Sequence, residues 1–215
     1  MLFALWAATW MAVTQLQPAR PPAAAIPATP VRPPAPAGLS WDDADQVQRI
    51  VARIERRLRV GKSAADGPIV VTERQLNSYV NLTLGWALPP GITGLQLRLA
   101  RDRLGAEARV DLDRIKGRLP PGALSGLLSL LSGTVPVEAQ GRLVAVNGTG
   151  RVEIEQATIG GLSLPASLVA QIVSASTKSA QQPQGVDIRQ PFPLPWTARD
   201  VHLEPGRALV VFFAR

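Results

Sequence analysis

VPVEAQGRLVAVNGTGRVEIEQATI, residues 135–159, is the stretch on which the fold turns. Apolar and polar residues alternate on both sides of Asn147-Gly148, a dipeptide that readily takes the left-handed backbone of a two-residue hairpin turn. Closing that turn pairs Val146 with Thr149. Leu143 then faces Val152 on one side, and Arg142 faces Glu153 on the other. Apolar and charged faces agree on a single register, so the stretch predicts two long antiparallel strands with one buried side.

The neighbouring segments repeat the logic. Leu95, Leu97 and Leu99 alternate before a turn at Arg101-Asp102, and Leu104, Ala106, Ala108, Val110 and Leu112 alternate after it. Pairing Ala100 with Arg103 sets Leu99 opposite Leu104 and Leu97 opposite Ala106. Near the end of the chain, Pro205-Gly206 predicts a last hairpin with Leu203 facing Ala208 and Val201 facing Val210. Between them, Pro191-Phe192-Pro193-Leu194-Pro195-Trp196 has too few amide donors for a central strand and belongs at an edge or rim.

Helical spacing appears in three places. Ser40 reads as an N-cap with Asp42 and Asp43 in the first turn, ahead of an apolar stripe of Val47, Ile50, Val51, Ile54 and Leu58. Arg49, Arg53, Arg56, Arg57 and Arg59 take the other positions, as a solvated face or as a contact for anionic headgroups. After a short strand at Ile69 to Val71, Thr72-Glu73-Arg74-Gln75 has the capping-box pattern of a second helix running to Gly85. Asn77 and Asn81 share a face of it, read as solvent-facing, with ligand-facing amides as the alternative. A third helix is predicted from Leu162 to Thr177, with Pro165 in its first turn and Val169, Ile172 and Val173 on its apolar side. A further leucine-dense stretch, Leu124, Leu127, Leu128, Leu130 and Leu131, reads as a helix apolar almost all round, between Pro120 and Pro136, which bound a run without any charge. The expected fold class is therefore α+β: a curved antiparallel sheet built from hairpins and packed on two or three amphipathic or apolar helices.

Ahead of this domain, residues 1–17 hold an apolar stretch that reads as a signal peptide or membrane anchor. Residues 18–38 hold eight prolines among alanines and read as a stiff linker. Residues 39–215 form one domain. The expected location is outside the cytosol, exported to the periplasm or another extracytoplasmic space, with membrane anchoring by the N-terminus as one form.

Composition narrows the chemistry. The chain has no cysteine, hence no disulfide framework, thiolate nucleophile or cysteine-bound metal. The net charge of +7 suits an anionic partner, but the arginines are dispersed and aromatics are few, which disfavours nucleic acid. His202 is the only histidine and reads as an ordinary strand residue. The same-face carboxylates Asp111 and Asp113, and Glu153 and Glu155, read as solvated sheet positions rather than an acid/base pair. Gly61-Lys62-Ser63 ends like a phosphate loop but lacks its leading glycine. No cofactor or metal is expected, and no enzymatic activity.

Ile69-Val70-Val71-Thr72-Glu73-Arg74-Gln75-Leu76-Asn77-Ser78-Tyr79 resembles the strand-to-helix T-E-x-x-L-N element of bacterial YpmS-like envelope proteins. The later order of uncharged helices between hairpins, Pro191 to Pro195 and Glu204-Pro205-Gly206, is similar to secreted proteins of the tubular lipid-binding (TULIP-like) superfamily. The resemblance implies a long helix held in a strongly curved sheet, an apolar groove and lipid handling in the envelope. It supplies no ligand residue to carry over.

The leading expectation is a non-enzymatic protein that binds lipid or another amphiphile in an apolar groove. Leu124, Leu127, Leu128, Leu131, Val169, Ile172 and Val173 would line it, and Trp86 and Trp196 would stand near its mouth. Arg49, Arg53, Arg56 and Arg57 would attract anionic headgroups at a membrane surface. A protein-interaction or scaffolding module is the second expectation, and a hydrolase using His202 or the paired carboxylates is the third.

Overall fold

The computed structural model describes residues 32–88, 91–116, 132–176, 184 and 187–214. The chain is α+β, with a three-stranded sheet and a larger curved antiparallel sheet rather than the single sheet expected. Four helices are described: α1 (Trp41–Arg59), α2 (Glu73–Ser78), α3 (Leu112–Lys116) and α4 (Ala166–Ser176). The strands are β1 (Ile69–Thr72), β2 (Ile92–Ala100), β3 (Arg103–Asp111), β4 (Thr134–Val146) and β5 (Thr149–Ile159). They continue with β6 (Leu162–Ser163), β7 (Phe192–Pro193), β8 (Ala198–Glu204) and β9 (Arg207–Phe212).

All three hairpins take the registers that the sequence dictates. Val146 pairs with Thr149, Leu99 with Leu104, and Leu203 with Ala208. The large sheet runs β2-β3-β4-β5-β6, and the short proline-flanked β7 lies on the outer edge of β5. Along β4 the burial alternates strictly, placing Val135, Val137, Ala139, Leu143 and Ala145 in the core and the charged residues outside. Across the middle of the sheet, Leu97, Ala106, Ala139 and Ala157 form one buried cross-strand row.

A bulge interrupts the β4–β5 ladder between Gln140 and Gly141. It rotates Glu155 outward between two arginines that oppose each other across β3 and β4, Arg103 at 3.1 Å and Arg142 at 3.8 Å. One carboxylate thus relieves a like-charge cross-strand pair. Glu153 pairs instead with Arg151 at 2.7 Å. On this outer face the two glutamates are members of ion pairs in a solvated sheet.

Asp111 and Asp113 do not share a strand face. The strand ends at Asp111, whose Oδ1 accepts from the Asp113 and Arg114 amides (3.1 and 3.4 Å) and so caps α3, taking Leu112 out of the sheet. The helix expected from Leu162 begins only at Ala166. Leu162–Ser163 pair with Thr158–Ile159, and Pro165 precedes the helix, accepting from the amides of Leu168 (3.0 Å) and Val169 (3.1 Å). The second helix stops being α-helical at Ser78 and continues as a π-turn over Tyr79–Thr83 and a 3₁₀ turn over Gly85–Ala87.

That π-turn region explains Asn77 and Asn81, which are neither solvent-facing nor aimed at a ligand. The Leu97 amide donates to Asn77 Oδ1 (2.6 Å), and Asn77 Nδ2 donates back to the Leu97 carbonyl (2.8 Å). Asn81 Nδ2 donates to the Leu95 carbonyl (2.6 Å), while the Leu99 amide donates to Glu73 Oε2 (2.6 Å). Four helical residues advance about 6 Å and two strand residues about 6.6 Å, so a side chain at every fourth helix position meets every second residue of β2. The helix takes the place of a neighbouring strand.

The three-stranded sheet, ordered β1-β9-β8, brings Ile69 beside Val210 and Thr72 beside Arg207. Two contacts at its chain reversal bind it to the large sheet: Gly206 N–H donates to the Leu99 carbonyl (3.0 Å), and Asp102 N–H donates to the Leu203 carbonyl (3.1 Å). At the far end, Asp200 accepts from the Asn147 amide (3.0 Å), and Gly148 N–H donates to the Arg199 carbonyl (2.7 Å). The Arg199 guanidinium (2.6 Å) and then the Asn147 amide hold the Asp200 carboxyl below the usual carboxylate range. A lowered acid stabilises the fold above its unfolded pKa and loses that contribution as pH falls through the folded one. In thermal melts against pH, Asp200→Asn is therefore expected to flatten the wild-type decline below about pH 4 and to lower stability above about pH 5. Parallel wild-type and variant profiles would show that this junction carries no acid sensitivity.

Candidate functional site

α1 packs across the three-stranded sheet, and its fastenings are polar at both ends. Ser40 caps it by accepting from Asp43 N–H, and Ser40 N–H donates to Ser78 Oγ (3.1 Å), where Ser78 is fully buried. Asp43 pairs with Arg74 (2.9 Å), and Gln75 Nε2 donates to Gln46 Oε1 (2.6 Å). The last residues before the helix also bind it. Arg32 pairs with Asp45 (2.7 Å) and lies over the Trp41 ring (4.8 Å), whose Nε1 donates to the Pro33 carbonyl (2.8 Å). Residues 32–38, read from the sequence as linker, thus touch the domain at this point. At the other end of α1, Arg57 holds the Ser63 carbonyl (2.7 Å) and the Asp66 carboxylate (2.9 Å) in the following loop.

Beneath the middle of the helix lies a cavity of about 80 Å³. Val47, Ile50, Val51 and Ile54 of α1 form its roof, and Val71, Val210 and Ala208 of the three-stranded sheet form much of its floor. Among its lining residues only Tyr79 and Trp196 carry a side-chain polar atom. Burial, with Glu55 adding to it, raises the Tyr79 hydroxyl above its ordinary pKa, so the lining is uncharged at neutral pH.

Trp196 reaches this cavity through an unusual backbone. Trp196 and Thr197 both lie in the left-handed region (φ 53° and 58°), which costs a non-glycine residue about 1–2 kcal/mol. The reversal carries the chain from a 3₁₀ turn at Pro195–Thr197 into β8, and the Phe213 amide secures it by donating to the Thr197 carbonyl (3.2 Å).

Of the residues that the sequence suggested for an apolar groove, Trp196 alone among those described lines this cavity. Val169, Ile172 and Val173 are buried in the main core beside the large sheet. Trp86 stands on the 3₁₀ turn, 72 % exposed, away from the lining. Leu124, Leu127, Leu128 and Leu131 lie outside the described residues. The apolar stripe of α1 was legible in the sequence, but its cover was not, because the floor depends on the distant pairing of β1 with β9.

The four candidate headgroup arginines also separate. Arg49, Arg53 and Arg56 are exposed, and none has an ion-pair partner among the described residues. Arg57 is half-buried and committed to Asp66 and Ser63.

A second hollow, of about 500 Å³, lies between the β2–β3 turn, β4 and β8. It is lined by Arg101, Asp102, Arg103, Arg142 and exposed His202, together with Leu143 to Val146. Among the described residues no group of three histidine or acidic side chains is placed to hold a metal ion. No family model matches the chain, and neither does any curated protein or solved structure.

Proposed function

We propose that this protein is a non-enzymatic, exported binder of lipid or another amphiphile, which takes the apolar part of its guest between α1 and the three-stranded sheet. The observation that carries the reading is the cavity itself, roofed and floored by aliphatic side chains and uncharged throughout. An apolar cavity of roughly 150 Å³ is enough for benzene. At about 80 Å³ the space seats the end of a chain in the closed form, and a longer tail requires α1 to lift. The placement of polar fastenings at the two ends of α1, with aliphatic contacts alone above the cavity, supports such a motion. The apolar leader and proline-rich linker, together with the T-E-x-x-L-N resemblance, favour the cell envelope as the place of action.

Ala208 gives a test with opposite signs for binding and stability. It is half-buried on β9 between Val71 and Leu203 and lines the cavity. Ala208→Leu places an isobutyl group in the void, which is expected to raise stability by about 0.5–2 kcal/mol. Affinity for a fluorescent fatty acid, followed by titration, is expected to fall about tenfold or more. Native mass spectrometry after organic extraction gives the complementary measurement. A wild-type protein that neither carries nor binds an amphiphile sinks the proposal, as does a stabilised variant that binds as well as wild type.

A further inference from the structure

We infer that the outer face of α1 is a docking surface for an anionic phospholipid bilayer, so that the helix closing the cavity is also the one that meets the membrane. On a helix, Arg49, Arg53 and Arg56 follow one another at steps of four and three and stand in one stripe. All three are exposed, and none is neutralised by a described acidic residue. Val60, the C-cap residue four positions beyond Arg56, continues the same stripe and is 66 % exposed. Arg59 and Lys62 add two exposed cations at that end. Of the acids of α1, Asp42 and Asp45 lie on the same side of the helix but in its first turns, N-terminal to the arginines, and Asp45 is paired with Arg32; Asp43 is paired with Arg74, and Glu55 is partly covered near Tyr79.

Charge complementarity selects the occupant. Arginine side chains extend their apolar stems along a surface while keeping the guanidinium at the polar layer, and an exposed valine at the end of the row has an apolar layer to enter. A flat array of phosphodiesters offers partners to all three arginines at once without fixed spacing. The loop tie through Arg57 leaves the stripe free, since that guanidinium points to Ser63 and Asp66.

Each basic residue near an anionic leaflet contributes about 1 kcal/mol. Replacing Arg49, Arg53 and Arg56 together by glutamine is therefore expected to weaken binding to phosphatidylglycerol vesicles on the order of a hundredfold in co-sedimentation. Wild-type binding should decline steeply with salt and be lost on phosphatidylcholine vesicles. Val60→Asp should weaken it further by removing the inserting side chain. Circular dichroism and fatty-acid titration in solution should be unchanged in the triple variant, and Ala208→Leu should still sediment with anionic vesicles. These two controls separate failure of the docking surface from failure of the cavity reading. Equal sedimentation of wild type and triple variant, or equal affinity for neutral and anionic vesicles, overturns the inference. Binding to a soluble acidic polymer with no binding to phosphatidylglycerol vesicles overturns it as well.

Discussion

Asn77→Leu is expected to destabilise the protein by about 3 kcal/mol and to lower its melting temperature by roughly 10 °C. Leucine has nearly the shape of asparagine and fills the same space, but it neither donates nor accepts. The Leu97 amide and carbonyl, bonded to Asn77 at 2.6 and 2.8 Å, would both lose their partner while a hydrocarbon group keeps water away. An unsatisfied backbone group costs about 1–3 kcal/mol. Asn77→Ala removes the same bonds but opens room for water, so it should cost about half as much despite being the larger truncation. Thermal or urea melts of the two variants decide the matter. If alanine proves as costly as leucine, the loss is one of packing and the interpretation of Asn77 as a strand substitute fails.

Gly141→Ala is expected to cost about 2–3 kcal/mol, with slower, less complete folding visible in refolding yields. A methyl group there would lie 2.5 Å from the Glu153 carbonyl oxygen and 3.3 Å from Ile154 Cα, all backbone atoms fixed by the ladder. The strand pair must spread or the bulge must move, and with it Glu155, which then leaves Arg103 and Arg142 facing one another. Gly105→Ala is the control: the nearest atom to an added methyl is Arg98 Cβ at 3.5 Å, an ordinary van der Waals contact, so the change should be near neutral. Similar losses from both substitutions would mean that glycine content of the sheet, and not the close approach at the bulge, sets the effect.

How much of this was legible in the chain depends on the range of the interaction. The hairpin at Asn147-Gly148 was fully readable because a two-residue turn fixes register and alternation then assigns faces over a dozen residues. The capping box at Thr72 and the N-cap at Ser40 are equally local, and both are present. The bulge at Gly141 left only a faint mark, a glycine inside an otherwise alternating strand, which is the pattern of a close backbone approach. The pairing of β1 with β9 left none, since Ile69 meets Val210 across most of the domain. The cavity inherits that opacity: one wall is an amphipathic stripe anyone can count, and the other exists only once β1 has found β9. Glu73, Asn77 and Asn81 did carry a signal, polar residues at every fourth position beside a leucine-rich strand, but its meaning needs the matching rises of helix and strand.

The side chains that α2 and its π-turn lay along β2 have a consequence for the protein in a crowded compartment. A bare terminal strand is a template on which a second molecule, or a fibril, can grow. Here the amides of Leu97 and Leu99 and the carbonyls of Leu95 and Leu97 are already occupied. Recruitment of another copy along that rim must first strip the helix away, so resistance to polymerisation is built into the same three residues that hold the two layers together.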